Sequence, residues 1–87
     1  MKIKGNYILR QIAGSWTAIA IGEDSADARG VMSLNDTGAL LWQALEHECD
    51  MEKLAQILVQ EYGLDREQAT ADTAEFVEKL RKLDCIV

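Results

Sequence analysis

The sequence has no proline, one histidine and two cysteines in its 87 residues. Its longest uncharged run, residues 11–22, is too short and too rich in glycine, serine and threonine to span a bilayer. Since no apolar segment follows the N-terminal lysines, neither export nor membrane insertion is predicted. We therefore expect a cytoplasmic protein with reduced thiols and no membrane partner.

The scarcity of histidine argues against a metal centre or a catalytic site. His47, Glu48 and Cys49 are neighbours in the sequence, and neighbouring residues on a helix point to different sides. No Gly-rich nucleotide loop, phosphate-binding loop or Cys-x-x-Cys pair is present. The sequence predicts no metal, no cofactor and no enzyme activity of the chain itself.

Hydrophobic spacing changes from a period of two to a helical period after Leu34. Residues 7–13, 16–21 and 30–34 have the alternation of strands, and Gly14-Ser15 is predicted to form the first hairpin turn. Three helical segments follow. The fold class predicted is α+β: a winged-helix-like domain over residues 1–87, with an N-terminal three-stranded antiparallel β-meander followed by three α-helices.

Each predicted helix has a capping residue and an apolar stripe. The caps are Asn35 or Asp36, then Asp50, then Asp65, and Gly63 is placed to end the second helix. The clearest stripe is on the third helix, where apolar positions step by 4, 3, 4 and 3: Ala69, Thr73, Phe76, Leu80 and Leu83. We also expect Trp16 and Trp42 to lie in the core.

Acidic side chains outnumber basic ones by 15 to 9, for a net charge of −6. A phosphate backbone or an anionic membrane is therefore not an expected partner. A winged-helix DNA reader needs a basic recognition helix, whereas residues 65–84 carry a net charge of −2. The composition favours a binding module, and the edge of a small sheet offers unpaired backbone groups to an extended peptide.

Three segments of the chain resemble the PqqD-like family. LNDTGALLW at residues 34–42 resembles the family's LNxTG/A segment, which enters the first helix. EYGLD at residues 61–65 resembles the junction of the second and third helices, and DTAEFVEKLRKL at residues 72–83 resembles the third helix. The resemblance runs from Tyr7 to Val87.

Members of this family act as recognition elements for ribosomally made, post-translationally modified peptides. The resemblance therefore implies a noncatalytic peptide chaperone that binds the leader of a precursor peptide by β-strand addition and presents it to a modifying enzyme, often a radical SAM protein. It leaves open whether the pathway makes pyrroloquinoline quinone or another product, and whether the chain forms a homodimer. Two departures from the family pattern leave the pathway open: no proline is present, and residues 22–29 are predicted to be a long acidic loop.

The same resemblance implies a set of peptide-binding residues. On and before the third strand these are Arg29, Gly30, Val31, Met32, Ser33 and Leu34; on the third helix they are Asp72, Thr73, Phe76, Val77 and Leu80. Among these we expect Phe76 and Leu80 to belong to the core. Thr73 and Val77 are expected to flank the core stripe and to contact the peptide, and Arg29 with Lys79–Lys82 to attract acidic residues of the leader.

Two other functions are compatible with the same pattern. One is a winged-helix regulatory or dimerisation module, and the other is a structural subunit whose helices pack on a larger enzyme. A precursor gene beside a radical SAM gene would favour the peptide chaperone over both.

Overall fold

A small antiparallel sheet comes first along the chain and three helices follow it. In the computed structural model, which describes residues 1–5, 7–20 and 31–87, the sheet has the strand order β1-β2-β3. The strands are β1 (Tyr7–Ile12), β2 (Ser15–Ala20) and β3 (Val31–Leu34), and the helices are α1 (Asp36–Leu45), α2 (Met51–Tyr62) and α3 (Arg66–Lys82). The predicted fold class is confirmed.

The turn between β1 and β2 lies one residue earlier than the sequence predicted. Ile12 pairs with Ser15, so Ala13 and Gly14 are the central residues of the turn. Their φ angles are 52° and 82°, and two positive φ angles define the type I′ turn, whose twist matches that of a hairpin. The expected Gly14-Ser15 turn is wrong because the apolar side chain of Ala13 continues the strand alternation in the sequence.

One face of the sheet packs on the helices. Along β3, Met32 and Leu34 are buried, whereas Val31 and Ser33 are exposed, as expected for a strand whose side chains alternate between two faces. The same inner face extends across all three strands, because Met32 of β3 lies opposite Ala18 of β2, and Ala18 lies opposite Leu9 of β1. The orientation of β3, which the sequence left undecided, is thus set.

Local capping starts and ends the helices as predicted. At each helix start a side-chain oxygen accepts a hydrogen bond from a backbone N–H three residues later: Asn35 from Gly38 at 2.7 Å, Asp50 from Lys53 at 2.8 Å, and Asp65 from Gln68 at 2.7 Å. Gly63 ends α2 in the left-handed region, with φ 66°. The side chain of Gln68 donates to Asp72 at 2.7 Å, while its backbone N–H is the one that donates to Asp65.

The core lies where the inner sheet face meets the three helices. Its largest fully buried side chains on the helices are Trp42, Leu41, Leu45, Leu54, Leu58 and Leu80. The ring of Tyr7 meets Trp42 edge-on, with centroids 5.6 Å apart. Trp42 is therefore in the core as predicted, while Trp16 is half-buried against it. Cys49 and Cys85 are buried free thiols.

A short antiparallel bridge joins two segments that are distant in the sequence. Ile3 pairs with Ile86, and the Lys4 N–H donates to the Cys85 carbonyl at 2.9 Å. The Ile3 N–H donates to the carbonyl of Leu45 at 2.7 Å, which ties the bridge to the end of α1. Of the helices in the described residues, none is both long and apolar enough to cross a membrane.

Candidate functional site

A groove of about 770 Å³ separates α3 from the end of β3 and the start of α1. This volume is in the range of pockets that hold ligands. On the side of β3 and α1 the groove is lined by Ser33, Leu34, Asn35, Thr37, Gly38 and Leu41. This wall consists of leucines and small, uncharged residues, and a single residue, Asn35, separates β3 from α1.

The α3 wall carries most of the charge. It consists of Asp72, Glu75, Phe76, Glu78, Lys79, Lys82 and Leu83. Each of these residues lies three or four positions from another of them, so together they cover one broad side of the helix. Asp72 and Glu75 come first along this side, Phe76 and Glu78 follow, and Lys79 and Lys82 come last.

Phe76 and Gly38 lie against each other across the groove floor. A Cβ atom added to Gly38 would lie 3.3 Å from Cε1 of Phe76 and 3.2 Å from the Asn35 side-chain oxygen. Both distances are shorter than ordinary van der Waals contacts between such atoms. The absence of a side chain at residue 38 therefore lets the aromatic ring approach the first turn of α1.

The groove runs beside an edge of the sheet. β2 lies on one side of β3, and no strand of the described residues pairs with its other side. Unpaired backbone groups along such an edge can pair with another chain. Which groups are unpaired follows from the hairpin.

The hairpin turn sets the direction of the backbone groups on β2. Ile12 and Ser15 close a two-residue turn and form a hydrogen-bonded pair. Hydrogen-bonded and non-hydrogen-bonded pairs alternate along an antiparallel ladder. The backbone N–H and C=O groups of Ser15 and of every second residue after it therefore point to β1. Those of Trp16 and of every second residue after it point to β3.

The same alternation continues into β3. Leu34 lies opposite Trp16, and Met32 lies opposite Ala18, so Leu34 and Met32 bond to β2. The N–H and C=O groups of Val31 and Ser33 consequently point to the open edge. These are also the two β3 residues whose side chains are exposed, Val31 at 64%.

The structure brings four of the predicted site residues to the groove: Ser33, Leu34, Asp72 and Phe76. Val31 lies on the open edge, and Met32 is buried beneath it. Arg29 and Gly30 lie outside the described residues. Within the described residues, no group of three or more His, Cys, Asp or Glu side chains is placed to hold a metal ion.

The expectation that Thr73 and Val77 flank the core stripe is wrong. Thr73 is 0% and Val77 2% exposed, and with Leu80 they are part of the buried face of α3. Leu80 is in the core as expected, whereas Phe76 is only half-buried and borders the groove. Because α3 packs against α2 and also borders the groove, it has two adjacent apolar stripes, and spacing alone does not tell which is deeper.

Several groove residues were not among the predicted site residues. Gly38 and Leu41 belong to α1, Glu75 belongs to α3, and Leu83 is the residue that follows α3. The available signal was the spacing by three or four that links Asp72 to Glu75, Phe76 to Lys79, and Lys79 to Lys82 and Leu83. No sequence signal links Gly38 to α3, since their proximity is purely tertiary.

Residues 25–86 match the family model described as coenzyme PQQ synthesis protein D (PqqD). This match covers most of the chain, which therefore belongs to the PqqD family, as the resemblance predicted. A comparison with curated proteins finds no match.

Two solved structures are similar to this chain. One is TbiB1 in complex with the TbiA(beta) leader peptide: 21% identity, 98% of this chain and 93% of that chain covered, and a TM-score of 0.76. The other is lasso peptide synthetase B1 complexed with the leader peptide: 27% identity, 93% and 89% covered, and a TM-score of 0.71. The fold is shared over nearly the full length of each chain.

Proposed function

We propose that this chain binds the leader segment of a ribosomally made precursor peptide and presents the precursor to a separate modifying enzyme. The observation that carries the proposal is the open edge of β3, which lies beside the groove of α3. Membership of the PqqD family supports it, and so do the two similar structures, each of which is a complex with a leader peptide.

Binding begins with the backbone of β3. The outward N–H and C=O groups of Val31 and Ser33 pair with an extended leader, which becomes a fourth strand of the sheet. Each such hydrogen bond contributes a net of about 0.5–1.5 kcal/mol. These bonds do not depend on the leader's side chains, so they supply affinity and leave selectivity to the groove.

Apolar contacts in the groove supply selectivity. Side chains of an extended peptide alternate, so every second leader residue points toward Phe76 and the leucines around it. Burying one leader Leu, Ile or Phe side chain there contributes about 1.5–3 kcal/mol. An apolar residue at alternate positions is thus the minimum requirement on the leader.

The chain itself leaves the peptide chemically unchanged. The groove offers carboxylates, lysines and apolar side chains, and its polar groups suit binding and orientation. Chemistry on the core peptide is assigned to the partner enzyme, of which a radical SAM protein is the class we favour. Since the precursor is made on ribosomes, the encounter takes place in the cytoplasm.

A display library of random peptides, selected on the immobilised full chain, tests this function. We expect enrichment on the native chain and on Ser33→Ala, but none on Ser33→Pro, because only proline removes the outward N–H of residue 33. Circular dichroism and thermal unfolding establish that each variant is folded. Equal enrichment on Ser33→Pro, or none on the native chain, would refute strand addition at β3.

A further inference from the structure

The groove side of α3 orders its charges along the helix. Asp72 and Glu75 come first, Phe76 follows, and Lys79 and Lys82 come last. Glu78 stands between Phe76 and Lys79 in the sequence, so it is counted with the lysine end. That end, with Lys79 and Lys82, has one net positive charge, whereas the Asp72 end has two negative charges. The groove therefore has a direction, with an apolar centre between unlike ends.

These charges are available to a ligand. Ion pairs within the described residues join other groups, such as Lys4 with Asp84 and Arg66 with Glu52. In that part of the chain, Glu75, Lys79 and Lys82 have no ion-pair partner within 4.0 Å. Asp72 accepts one hydrogen bond, from Gln68, and a carboxylate has capacity for several more.

The spacing of the charges matches an extended peptide. Ten helical steps separate Asp72 from Lys82, a rise of about 15 Å along the axis. Residues i and i+4 of a strand are about 13 Å apart, and they point to the same face as residue i+2. Three alternate side chains of one bound strand can thus meet the acidic end, Phe76 and the basic end together.

We infer that the groove selects leader segments by the order of their charges: a basic residue, an apolar residue and an acidic residue at alternate positions. The basic side chain lies over Asp72 and Glu75, the apolar one beside Phe76 and Gly38, and the acidic one over Lys79 and Lys82. This inference rests on the proposed function, and it adds a requirement that strand pairing does not impose.

A competing arrangement would cancel the groove's direction. Glu75 with Lys79, and Glu78 with Lys82, are spaced four residues apart, and such pairs attract each other on a helix surface. If those pairs held, the order of charges in a ligand would have no effect on affinity. Exchanging the charges within the helix separates the two cases, since it keeps the net charge of the chain constant.

Two exchange variants form a graded series. Glu75→Lys/Lys79→Glu leaves no net charge at the Asp72 end and one net negative charge at the lysine end, so it nearly removes the direction of the groove. Asp72→Lys/Glu75→Lys/Lys79→Glu/Lys82→Glu reverses it. Peptides selected from the display library on the native chain are synthesised in two forms, one as selected and one with the basic and acidic residues exchanged, and dissociation constants are measured by fluorescence anisotropy.

We expect the native chain to prefer the selected order by about tenfold at low salt, and less at high salt. The double variant should bind both forms about equally, and the quadruple variant should prefer the exchanged form. If the quadruple variant is unfolded, loss of preference in the double variant decides the question. Enriched peptides without charge order, or equal affinities on the native chain, would overturn the inference and leave leader binding intact; no enrichment would refute leader binding itself.

Discussion

Phe76 of α3 lies directly against Gly38 of α1, so close that a Cβ atom at residue 38 would be 3.3 Å from the ring. The contact joins the two walls of the groove at its floor. Phe76, although it belongs to an apolar stripe, is half-buried and borders the groove.

Filling the space at residue 38 should close the groove. Gly38→Leu places a branched side chain where the ring of Phe76 and an apolar leader residue meet, so we expect at least a tenfold loss of affinity for selected peptides, equivalent to about 1.4 kcal/mol. Gly5→Leu is the matched control, because nothing lies within 4 Å of a Cβ there. Affinity that is unchanged in folded Gly38→Leu would place the peptide elsewhere.

Amide hydrogen exchange should show which N–H groups of β3 point to β2 and which point to the open edge. In the free protein we expect the amides of Val31 and Ser33 to exchange rapidly and those of Met32 and Leu34 to be protected, because only the latter pair with β2. Adding a selected peptide should protect Val31 and Ser33 as well. Amide exchange followed by NMR measures both states; protection of Val31 and Ser33 without peptide would contradict the assigned direction.

Thr73 carries a buried hydroxyl that is unsatisfied within the described residues. Valine has nearly the same shape and no polar atom, so Thr73→Val should raise the free energy of unfolding by about 1 kcal/mol. Thr70→Val, at an exposed position of the same helix, is the control for the change in helix propensity. Urea unfolding measures both, and a loss of stability in Thr73→Val would mean that the hydroxyl has a partner.

Substitutions at two adjacent residues of α3 should separate an effect on stability from an effect on peptide binding. Val77 is 2% exposed, so Val77→Ala should lower the free energy of unfolding by about 1–3 kcal/mol while the folded fraction keeps its peptide affinity. Phe76→Ala should weaken peptide binding severalfold more than Val77→Ala does. Denaturation and anisotropy on the same two samples check this, and an equal loss of affinity in both would show that the groove has been assigned to the wrong stripe.

A single rim lysine should act mainly through long-range attraction. Lys82→Ala should reduce affinity about two- to fivefold at low salt, with the loss in the association rate and largely absent at high salt. Lys53→Ala, on α2 and outside the groove lining, removes the same charge from another surface. Stopped-flow measurements at two salt concentrations compare them, and equal effects of the two substitutions would indicate a general charge effect.

Much of the local structure could be read from the sequence, because it depends on residues that are close along the chain. Asn35, Asp50 and Asp65 each cap a helix through an N–H three residues away, and Gly63 ends α2 where a left-handed residue is needed. Alternation marked the strands for a similar reason. The turn was misplaced by one residue because Ala13 suits both a strand and, at a small energetic cost, a left-handed turn position.

Tertiary packing decided the rest. Whether Phe76 or Val77 is the deeper residue of α3 depends on how the helix is rotated between α2 and the β3–α1 side, and the two apolar stripes are too alike in composition for spacing to distinguish them. The Phe76–Gly38 contact and the Ile3–Ile86 bridge join segments that are far apart in sequence. The sequence by itself therefore determined the elements, the acidic charge and the family, while the groove exists only because packing brings α3 beside the open edge of β3.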